Sequence, residues 1–444
     1  SAFSYNPFTL VLSTSGLAIT AGTASTNATT GALVVTGGVG IGGSLYVGGD
    51  LTINGTTTTI NSVTLTVDDK NIEIGDFSRV NLSHDEIYES LSIGSNILMD
   101  DGKLQFVVKK ISKDKINTEV VVGGYIKSNK GINLPDVVIN TNPLTPKDIE
   151  DLKFILNQDV DWIALSFVQK LSDVEEVKKY IGDKAGVIAK IEKPSALKEL
   201  KSIIGACEGI MVARGDLGVE IPMQEVPLIQ KMLVNRAKKA RIPVIIATQM
   251  METMITNSVP TRAEVNDVAN SIMDGADAVM LSGETSVGKH PVRVIQKMSE
   301  IIMSVENSPL IKVPHQAPHI RTDRFITKSL CHHAALMSKD TNSAAICTLT
   351  NSGYTAFQIS AWRPQSHILA FTTQKRILGK LNLLWGVRAF FYDENLSTDD
   401  TVLDINRIAK EKDYVTSGDI VINLTSMPVE QRGMVNTLRV SEID

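Results

Sequence analysis

The chain has 444 residues, of which 43% are hydrophobic and 21% charged, and its formal net charge is −5 at pH 7. This composition is typical of a globular protein of two or three domains that remains in water, and it excludes collagen-like and disulfide-scaffold classes. The slight acidic excess predicts no nucleic-acid partner, and no apolar run long enough to span a bilayer is present, so we expect no membrane association and a cytoplasmic location.

Residues 1–74 differ in composition from the rest and are predicted to form a β-rich leader. Up to residue 67 the only charged side chain is Asp50, and Gly, Thr, Ser and Asn separate short β-branched runs. Gly38-x-Gly40-x-x-Gly43 has the letters of a dinucleotide-binding loop, but strand-like sequence follows where such a loop needs a helix. The segment resembles Gly/Thr-rich parts of phage tail-fibre and other virion proteins. A disordered leader is the alternative.

Residues 92–142 predict a small antiparallel β unit. Apolar runs at 104–108 and 118–122 alternate with polar residues, and Asp100-Asp101-Gly102 is typical of a turn. At residue 145 the pattern changes to that of a helix start, with Thr145 as N-cap, Pro146 at the first helical position and Asp148 at the third.

An α/β repeat is predicted over residues 143–307. Amphipathic helical stretches separate five short apolar strands, at residues 161–167, 186–191, 209–213, 243–248 and 277–281. This alternation predicts the parallel sheet of a barrel or a doubly wound fold, and each strand ends in polar residues. Parallel sheets bind their ligands at this carboxyl edge.

A third, α/β unit is predicted over residues 319–444. A helix at 326–338 precedes strands at 344–348, 368–372, 387–391 and 419–424. The three cysteines, Cys207, Cys331 and Cys347, have no metal-ligand spacing, so we expect buried, reduced thiols.

The strand ends predict a site for a metal and an anion. Side chains two apart on a strand face the same way, so Lys190 lies beside Glu192, and Arg214 lies beside Asp216 if the strand continues that far. Two carboxylates can hold Mg²⁺ or Mn²⁺, and the ammonium adds a positive charge beside an enolate. Isolated salt bridges at the rim are the alternative, but several polar strand ends at one edge favour a site.

Other strand-end residues extend this site. Backbone amides near Gly215 could bind an anion, and Thr248 could orient a water molecule or relay a proton. At the last strand, Gly283-x₄-Gly288-Lys289 has the spacing of a phosphate loop, but His290 replaces the Ser or Thr that binds magnesium, so we expect no independent nucleotide site there.

Five motifs closely resemble pyruvate kinase: IAKIE (188–192), MVARGDLGVEIP (211–222), ATQM (247–250), PTRAEVNDVA (260–269) and MLSGET (280–285). The resemblance implies an α/β fold with a (β/α)8-type barrel at 143–307, a partial β cap at 92–142 and a C-terminal α/β domain at 319–444. RVNLSH (79–84) looks like the family's second barrel strand, so residues 75–91 are interpreted as a remnant of that region. The other N-terminal barrel strands are not recognisable, which predicts an incomplete barrel.

The resemblance also implies phosphoryl transfer from phosphoenolpyruvate to ADP, giving pyruvate and ATP, with Mg²⁺ (or Mn²⁺) and K⁺, in a homo-oligomer that is a tetramer by family precedent. The catalytic residues implied are Lys190, Thr248 and Arg79. Substrate binding would involve Gly215, Asp216, Thr248 and Ser166. Glu192 and Asp216 would hold the divalent ion, and Asn81 and Ser83 would form part of the potassium site.

Two other functions stay open from the sequence alone. The chain could be a virion structural or attachment protein that carries an inactive kinase-derived domain, or another Mg²⁺-dependent barrel enzyme that acts on enolpyruvate. Asn351 and Tyr354 stand where the family's effector loop would use a basic side chain, so regulation by a sugar bisphosphate is not expected.

Overall fold

The computed structural model describes residues 4–6, 11–13, 39, 41, 87, 90–112, 115–126, 130–135, 137, 142–308, 324–394, 396–427 and 434–444. The chain divides into two compact units, Ser1–Asp69 and Lys70–Asp444. In the first unit, strand β1 (Ser4–Asn6) pairs antiparallel with β2 (Val11–Ser13). Most of the predicted leader, with its Gly38-x-Gly40-x-x-Gly43 motif, lies outside the described residues.

The predicted antiparallel β unit is confirmed as a four-stranded sheet. Its strands run in the order β5-β4-β3-β6, with bounds β3 (Asn96–Met99), β4 (Leu104–Ser112), β5 (Lys115–Val122) and β6 (Ile132–Asn133). Asp100, Asp101 and Gly102 form the β3–β4 turn with φ angles of 49°, 58° and 80°. Asp and Gly tolerate this left-handed region better than most residues, which is why the sequence turns here.

The βα repeat is confirmed as a sheet of five parallel strands within the described residues. These are β7 (Trp162–Leu165), β8 (Gly186–Ile191), β9 (Gly209–Ala213), β10 (Val244–Ala247) and β11 (Ala278–Met280). Their order, β11-β10-β9-β8-β7, follows the chain. Each strand lies inside the range predicted for it, because short apolar runs between amphipathic segments form buried strands wherever both faces of a sheet are covered.

The two faces of this sheet have different neighbours. Val187, Ala189 and Ile191 of β8 are buried in the large core on the helix side. Ile188 points the opposite way and packs with residues of β9 and β10, and Leu383 of the C-terminal domain joins this second cluster. Because strand side chains alternate, Lys190 lies on the face of Ile188, away from the helices.

The helices of this region follow the strands. They are α1 (Pro146–Ile155), α2 (Leu171–Ile181), α3 (Pro194–Lys198), α4 (Leu200–Ala206), α5 (Arg214–Glu220), α6 (Val226–Ala240), α7 (Arg262–Asp274), α8 (Gly283–Ser286) and α9 (Pro291–Glu306). The predicted start of α1 is confirmed, since Thr145 Oγ1 accepts from the Asp148 amide and the Asp148 carboxylate accepts from the Thr145 amide at 2.8 Å. No helix in the described part of the chain has the length and apolar character of a membrane span.

The C-terminal domain is a second α/β unit, as predicted. Its helices are α10 (Phe325–Asp340), α11 (Tyr354–Ser360), α12 (Lys375–Leu381) and α13 (Thr398–Glu411), and its strands are β12 (Ala345–Leu349), β13 (His367–Thr372), β14 (Val387–Phe391), β15 (Ile420–Thr425) and β16 (Thr437–Glu442). The sheet order is β14-β13-β12-β15-β16, and only β16, which the sequence analysis missed, runs antiparallel. All three cysteines are free and buried, which confirms that prediction.

Candidate active site

Ser166, Lys190 and Glu192 meet at the carboxyl edge of the parallel sheet. The register pairs Leu165 of β7 with Ala189 of β8, so the residues that follow these two are neighbours. Lys190 Nζ donates to Ser166 Oγ at 2.7 Å and lies 2.8 Å from Glu192 Oε1. The predicted projection of Lys190 and Glu192 to one side is therefore observed. An ammonium group is held at the rim between a hydroxyl group and a carboxylate.

Glu192 is fully buried, so its charge needs partners. Its Oε2 atom accepts the Phe167 amide at 2.7 Å, and its Oε1 atom faces the Lys190 ammonium. Among the described residues, Oε1 accepts no hydrogen bond of good geometry, so the contact with Lys190 is an ion pair only. The Oε2 atom of Glu192 is thus fixed by a backbone amide, and its Oε1 atom points towards the positive charge of Lys190 at the rim.

The strand does not continue to Arg214 and Asp216, so the condition for their alignment on a strand is not met. Strand β9 ends at Ala213, and α5 begins at Arg214. Asp216 therefore lies in the first turn of a helix that starts directly at the strand end, and the Gly215 amide belongs to the same turn. The helix forms because Leu217, one turn in, is fully buried in the core on the helix side, which an extended chain would not allow.

Gly215 and Thr248 connect the ends of β9 and β10. The Gly215 amide donates to Thr248 Oγ1 at 2.7 Å, and this hydroxyl group donates to the Ala247 carbonyl at 2.6 Å. A Cβ atom at Gly215 would lie 3.2 Å from Thr248 Oγ1, so glycine permits the close approach. The candidate residues Gly215 and Thr248 are thereby brought to one part of the rim, and Asp216 follows Gly215 in the chain.

The backbone at Thr248 and Gln249 has positive φ angles of 69° and 54°. For a β-branched residue such as threonine this conformation is a true outlier, and strained residues cluster at functional sites. Arg214 contacts this segment directly, because its Nη2 atom donates to the Thr248 carbonyl at 2.8 Å. Sequence reasoning did not identify the side chain of Arg214 as part of the site, since its partners are distant in sequence.

Glu264, in the PTRAEVNDVA motif, holds the segment that follows Thr248. Its carboxylate accepts from the Thr253 amide at 2.7 Å and from the Thr261 amide at 2.8 Å. Burial by itself raises the pKa of Glu264, but these hydrogen bonds and those from the two threonine hydroxyls outweigh it, so the pKa lies below its usual value. Glu264 also completes the capping box of α7, which gives it a structural role.

The residues that follow β11, the last strand of the parallel sheet, make close internal contacts. The buried Glu284 carboxylate accepts from the Ser282 amide at 2.8 Å and from the Met251 amide at 3.2 Å. A Cβ atom at Gly288 would lie 2.2 Å from the Glu284 carbonyl oxygen, so this glycine serves close backbone packing. These contacts give Glu284 and Gly288 a structural role at this strand end.

The rim carries two carboxylates of the kind that can bind a magnesium ion. In the described part of the chain, no group of three or more His, Cys, Asp or Glu side chains is arranged to hold a metal. Mg²⁺ does not need one, because it is commonly held by one or two carboxylates and completes its shell with water and substrate phosphates. Glu192, directly after β8, and Asp216, in the first turn of the helix that follows the adjacent strand β9, are the candidates for those carboxylates. Arg79, Asn81 and Ser83 lie outside the described residues.

Comparison with known proteins identifies the family. A sequence model of the pyruvate kinase barrel domain matches residues 18–295, and one of the pyruvate kinase alpha/beta domain matches residues 328–441. The chain belongs to the pyruvate kinase family. The barrel match begins at residue 18, within the predicted leader, and the comparisons do not show the resemblance of that segment to virion proteins.

Named relatives agree with this family. Pyruvate kinase 2 of Synechocystis is 42% identical over 347 residues, which are 77% of this chain and 58% of that protein. A pyruvate kinase of Agrobacterium vitis is 39% identical over 367 residues (82% and 75%), and one of Mycobacterium tuberculosis is 40% identical over 377 residues (83% and 78%). The family membership indicates a phosphotransferase that converts phosphoenolpyruvate and ADP to pyruvate and ATP. The virion-protein alternative gains no support from these matches.

Proposed function

We propose that the rim formed by Lys190, Glu192, Asp216, Gly215 and Thr248 carries out this phosphoryl transfer. The supporting observation is the Lys190 ammonium group, fixed 2.7 Å from Ser166 Oγ and 2.8 Å from Glu192 Oε1 at the carboxyl edge of the sheet. In the reaction, the bond between the enol oxygen and phosphorus breaks while an oxygen of the ADP β-phosphate bonds to phosphorus. The enolate then takes a proton at carbon and becomes pyruvate.

Lys190 is proposed to stabilise negative charge on the enol oxygen and the transferring phosphoryl group. A fixed ammonium group in a partly dry site stabilises such charge more strongly than solvent does, because it needs no reorganisation. Glu192 and Asp216 would hold Mg²⁺ (or Mn²⁺), which when bound supplies Lewis-acid polarisation of substrate oxygens. The ion pair with Glu192 keeps Lys190 in place before substrate binds.

Gly215 and Asp216 are proposed to contact the substrate carboxylate, and Thr248 to lie on the face of the enolate where the proton arrives. The Thr248 hydroxyl group already accepts one hydrogen bond and donates another, so its direction is fixed. Ser166 would complete the substrate contacts beside Lys190. A residue oriented in this way can place a water molecule or relay a proton at a defined carbon.

The remaining assignments are proposals that rest on the family resemblance. Arg79 would contact the phosphate, and Asn81 and Ser83 would supply part of a K⁺ site. The protein is proposed to be a cytoplasmic homo-oligomer, by family precedent a tetramer, without nucleic-acid or membrane partners.

The composition change near residue 74 supports a separate proposal for the N-terminal part. Residues 1–74 are proposed to be a virion-like leader, residues 75–91 a remnant of the second barrel strand, and the barrel is proposed to be incomplete at its N-terminal strands. Deletion of residues 1–74 tests this division. A folded, active product would support the leader, whereas loss of folding would show that the segment belongs to the barrel.

A coupled assay for pyruvate formation tests the proposed function. We expect activity that depends on Mg²⁺ and is stimulated by K⁺, and that is abolished in Lys190→Met and Glu192→Gln. Lys178→Met is the matched control, since Lys178 forms a 2.5 Å ion pair with Glu208 at the opposite end of the same sheet, and it should retain activity. A folded wild-type protein that forms no pyruvate would contradict the function. Full activity of Glu192→Gln would contradict the metal site.

A further inference from the structure

We propose that Arg214 is a positioning residue that acts through Thr248. The proposal rests on the proposed role of Thr248 and goes beyond it. The guanidinium group donates from Nη2 to the carbonyls of Thr248 at 2.8 Å and Gln249 at 3.4 Å, and from Nη1 to Asp267 Oδ1 at 2.6 Å. It therefore spans the carbonyls of both residues in the left-handed segment and is itself held by a carboxylate of α7.

The left-handed segment needs such an external restraint. Threonine seldom adopts a φ angle near 69°, and such a conformation persists only where surrounding contacts hold it in place. Two hydrogen bonds from one rigid planar group fix the two successive peptide planes at Thr248 and Gln249. The direction of the Thr248 side chain follows from those planes, because its Cα–Cβ bond is set by the backbone. Arg214 thus determines where the Thr248 hydroxyl group points.

The residues next to Arg214 hold Thr248 from its other end. The Gly215 amide donates to the Thr248 hydroxyl at 2.7 Å, and Asp216, the proposed metal ligand, comes next in the same helical turn. The side chain of Arg214 therefore holds the carbonyl of Thr248 while the following residue holds its hydroxyl. This arrangement fixes the distance between the proton-relay position and the metal position.

Arginine suits this position better than lysine, because a lysine can reproduce only part of its hydrogen-bond geometry. The side chain of Arg214 is 11% exposed, and it contacts the Met250 sulfur at 2.8 Å besides the two carbonyls. The planar guanidinium group of arginine donates hydrogen bonds in several fixed directions at once, whereas the ammonium group of lysine is a point charge on a flexible side chain. Asp267 neutralises the charge and orients the guanidinium group, so Asp267→Asn should weaken the same restraint to a smaller degree.

A double-mutant cycle tests this inference by steady-state kinetics. We expect Arg214→Met to lower kcat about 100-fold, as expected for a misplacement of about 1 Å at a reacting centre, and to change KM for phosphoenolpyruvate less than threefold. Arg214→Lys should recover part of the loss. In a Thr248→Ala background, Arg214→Met should lower kcat less than about threefold further, because the group it positions is already missing.

Two controls separate positioning from stability. Arg236→Met removes an exposed arginine of α6 and should leave kcat unchanged. Arg363→Met removes a buried, paired arginine at the domain interface and should lower the melting temperature without affecting kcat. If Arg214→Met fails to fold, Asp267→Asn takes its place in the cycle, with an expected loss of about tenfold that again disappears in Thr248→Ala.

The outcomes distinguish this inference from the proposed function. If the two reductions in kcat multiply in the double mutant, the proposed role of Arg214 is overturned while that of Thr248 stays intact. Full activity of Thr248→Ala would overturn both assignments, and the silent Lys190→Met variant would still report on the phosphoryl-transfer site. The rate at which the pyruvate methyl group exchanges protons with D₂O, followed by NMR, should fall in parallel with kcat in Arg214→Met. An unchanged exchange rate would contradict the inference.

Discussion

The contact between the parallel sheet and the C-terminal domain includes a buried ion pair, and the effect of its removal on the free energy of unfolding can be estimated. Arg363 Nη1 donates to Asp277 Oδ1 at 2.9 Å, and Nη2 donates to the Gly275 carbonyl at 2.6 Å. The two side chains are only 5% and 6% exposed. Asp277 precedes β11, and Arg363 lies in the C-terminal domain, so the pair joins the two domains. We predict that Arg363→Met strongly destabilises this interface.

The magnitude follows from what the substitution leaves behind. Methionine preserves much of the apolar stem but leaves the Asp277 charge buried. Among the described residues its remaining hydrogen-bond donors are the amides of Val244 at 3.0 Å and Trp385 at 3.3 Å, and Lys238 interacts with it electrostatically. Breaking a buried pair by removing one partner costs about 3–5 kcal/mol when the remaining charge is uncompensated, and the Lys238 charge places the expected loss at the lower end of this range. In the double variant with Asp277→Asn, part of this loss should be recovered, since the buried charge is gone.

The measurement is the free energy of unfolding in urea, followed by fluorescence. Arg376→Met is the matched control, because Arg376 pairs with Asp183 at 2.7 Å between the same two domains, while the side chains are 52% and 83% exposed. An exposed pair of this kind contributes about 0–1 kcal/mol. Equal losses in the two variants would show that burial does not determine the strength of this contact and would refute the reasoning.

Three further predictions concern buried or crowded groups. Burial, and next the positive charge of Arg363, lower the pKa of Lys238 to about 8. Between about pH 8 and 10.5 the unfolded chain therefore binds one more proton than the folded protein, so the free energy of unfolding rises with pH in that range. Lys238→Met should abolish this rise and increase the free energy of unfolding by about 2 kcal/mol at pH 7. Urea unfolding at pH 7 and 10 measures both effects. Gly215→Ala should lower kcat about tenfold by crowding Thr248 at 3.2 Å, whereas Gly205→Ala, with no atom within 4 Å, should not. Burial raises the pKa of the three cysteine thiols to about 11–12, so iodoacetamide should modify them at pH 8 only after unfolding.

Local signals in the sequence predicted most of the α/β architecture. The five strands of the parallel sheet were recognisable because each is a short run of apolar residues that both faces of the sheet bury, as in GVIAKI of β8. The capping residues Thr145 and Asp148 marked the start of α1 through hydrogen bonds within four residues. Strand β16 was missed, since its half-exposed residues follow no clear alternation and its pairing with β15 is not visible in the local sequence.

The candidate site was predictable only where a local rule determines the direction in which a side chain points. Alternation along β8 placed Lys190 and Glu192 together correctly. The same rule failed one strand later, because Leu217 reaches the core only if the chain coils into α5 immediately after Ala213. No local pattern could reveal that Arg214 contacts Asp267, 53 residues away, since such a contact exists only once β9, β10 and α7 have packed.

Helix α5 also joins the candidate site to the cap. At its end, the Glu220 carboxylate accepts from Lys193 at 2.5 Å and from Asn133 of β6 at 2.8 Å. Both charged side chains are nearly fully buried, so the three groups depend on one another for compensation of charge. Because one helix of seven residues carries Asp216 near one end and Glu220 at the other, the hydrogen bond from Asn133 links β6 to the helix that holds the proposed metal ligand. The four-stranded sheet and the rim are therefore connected through one short helix and a buried polar network.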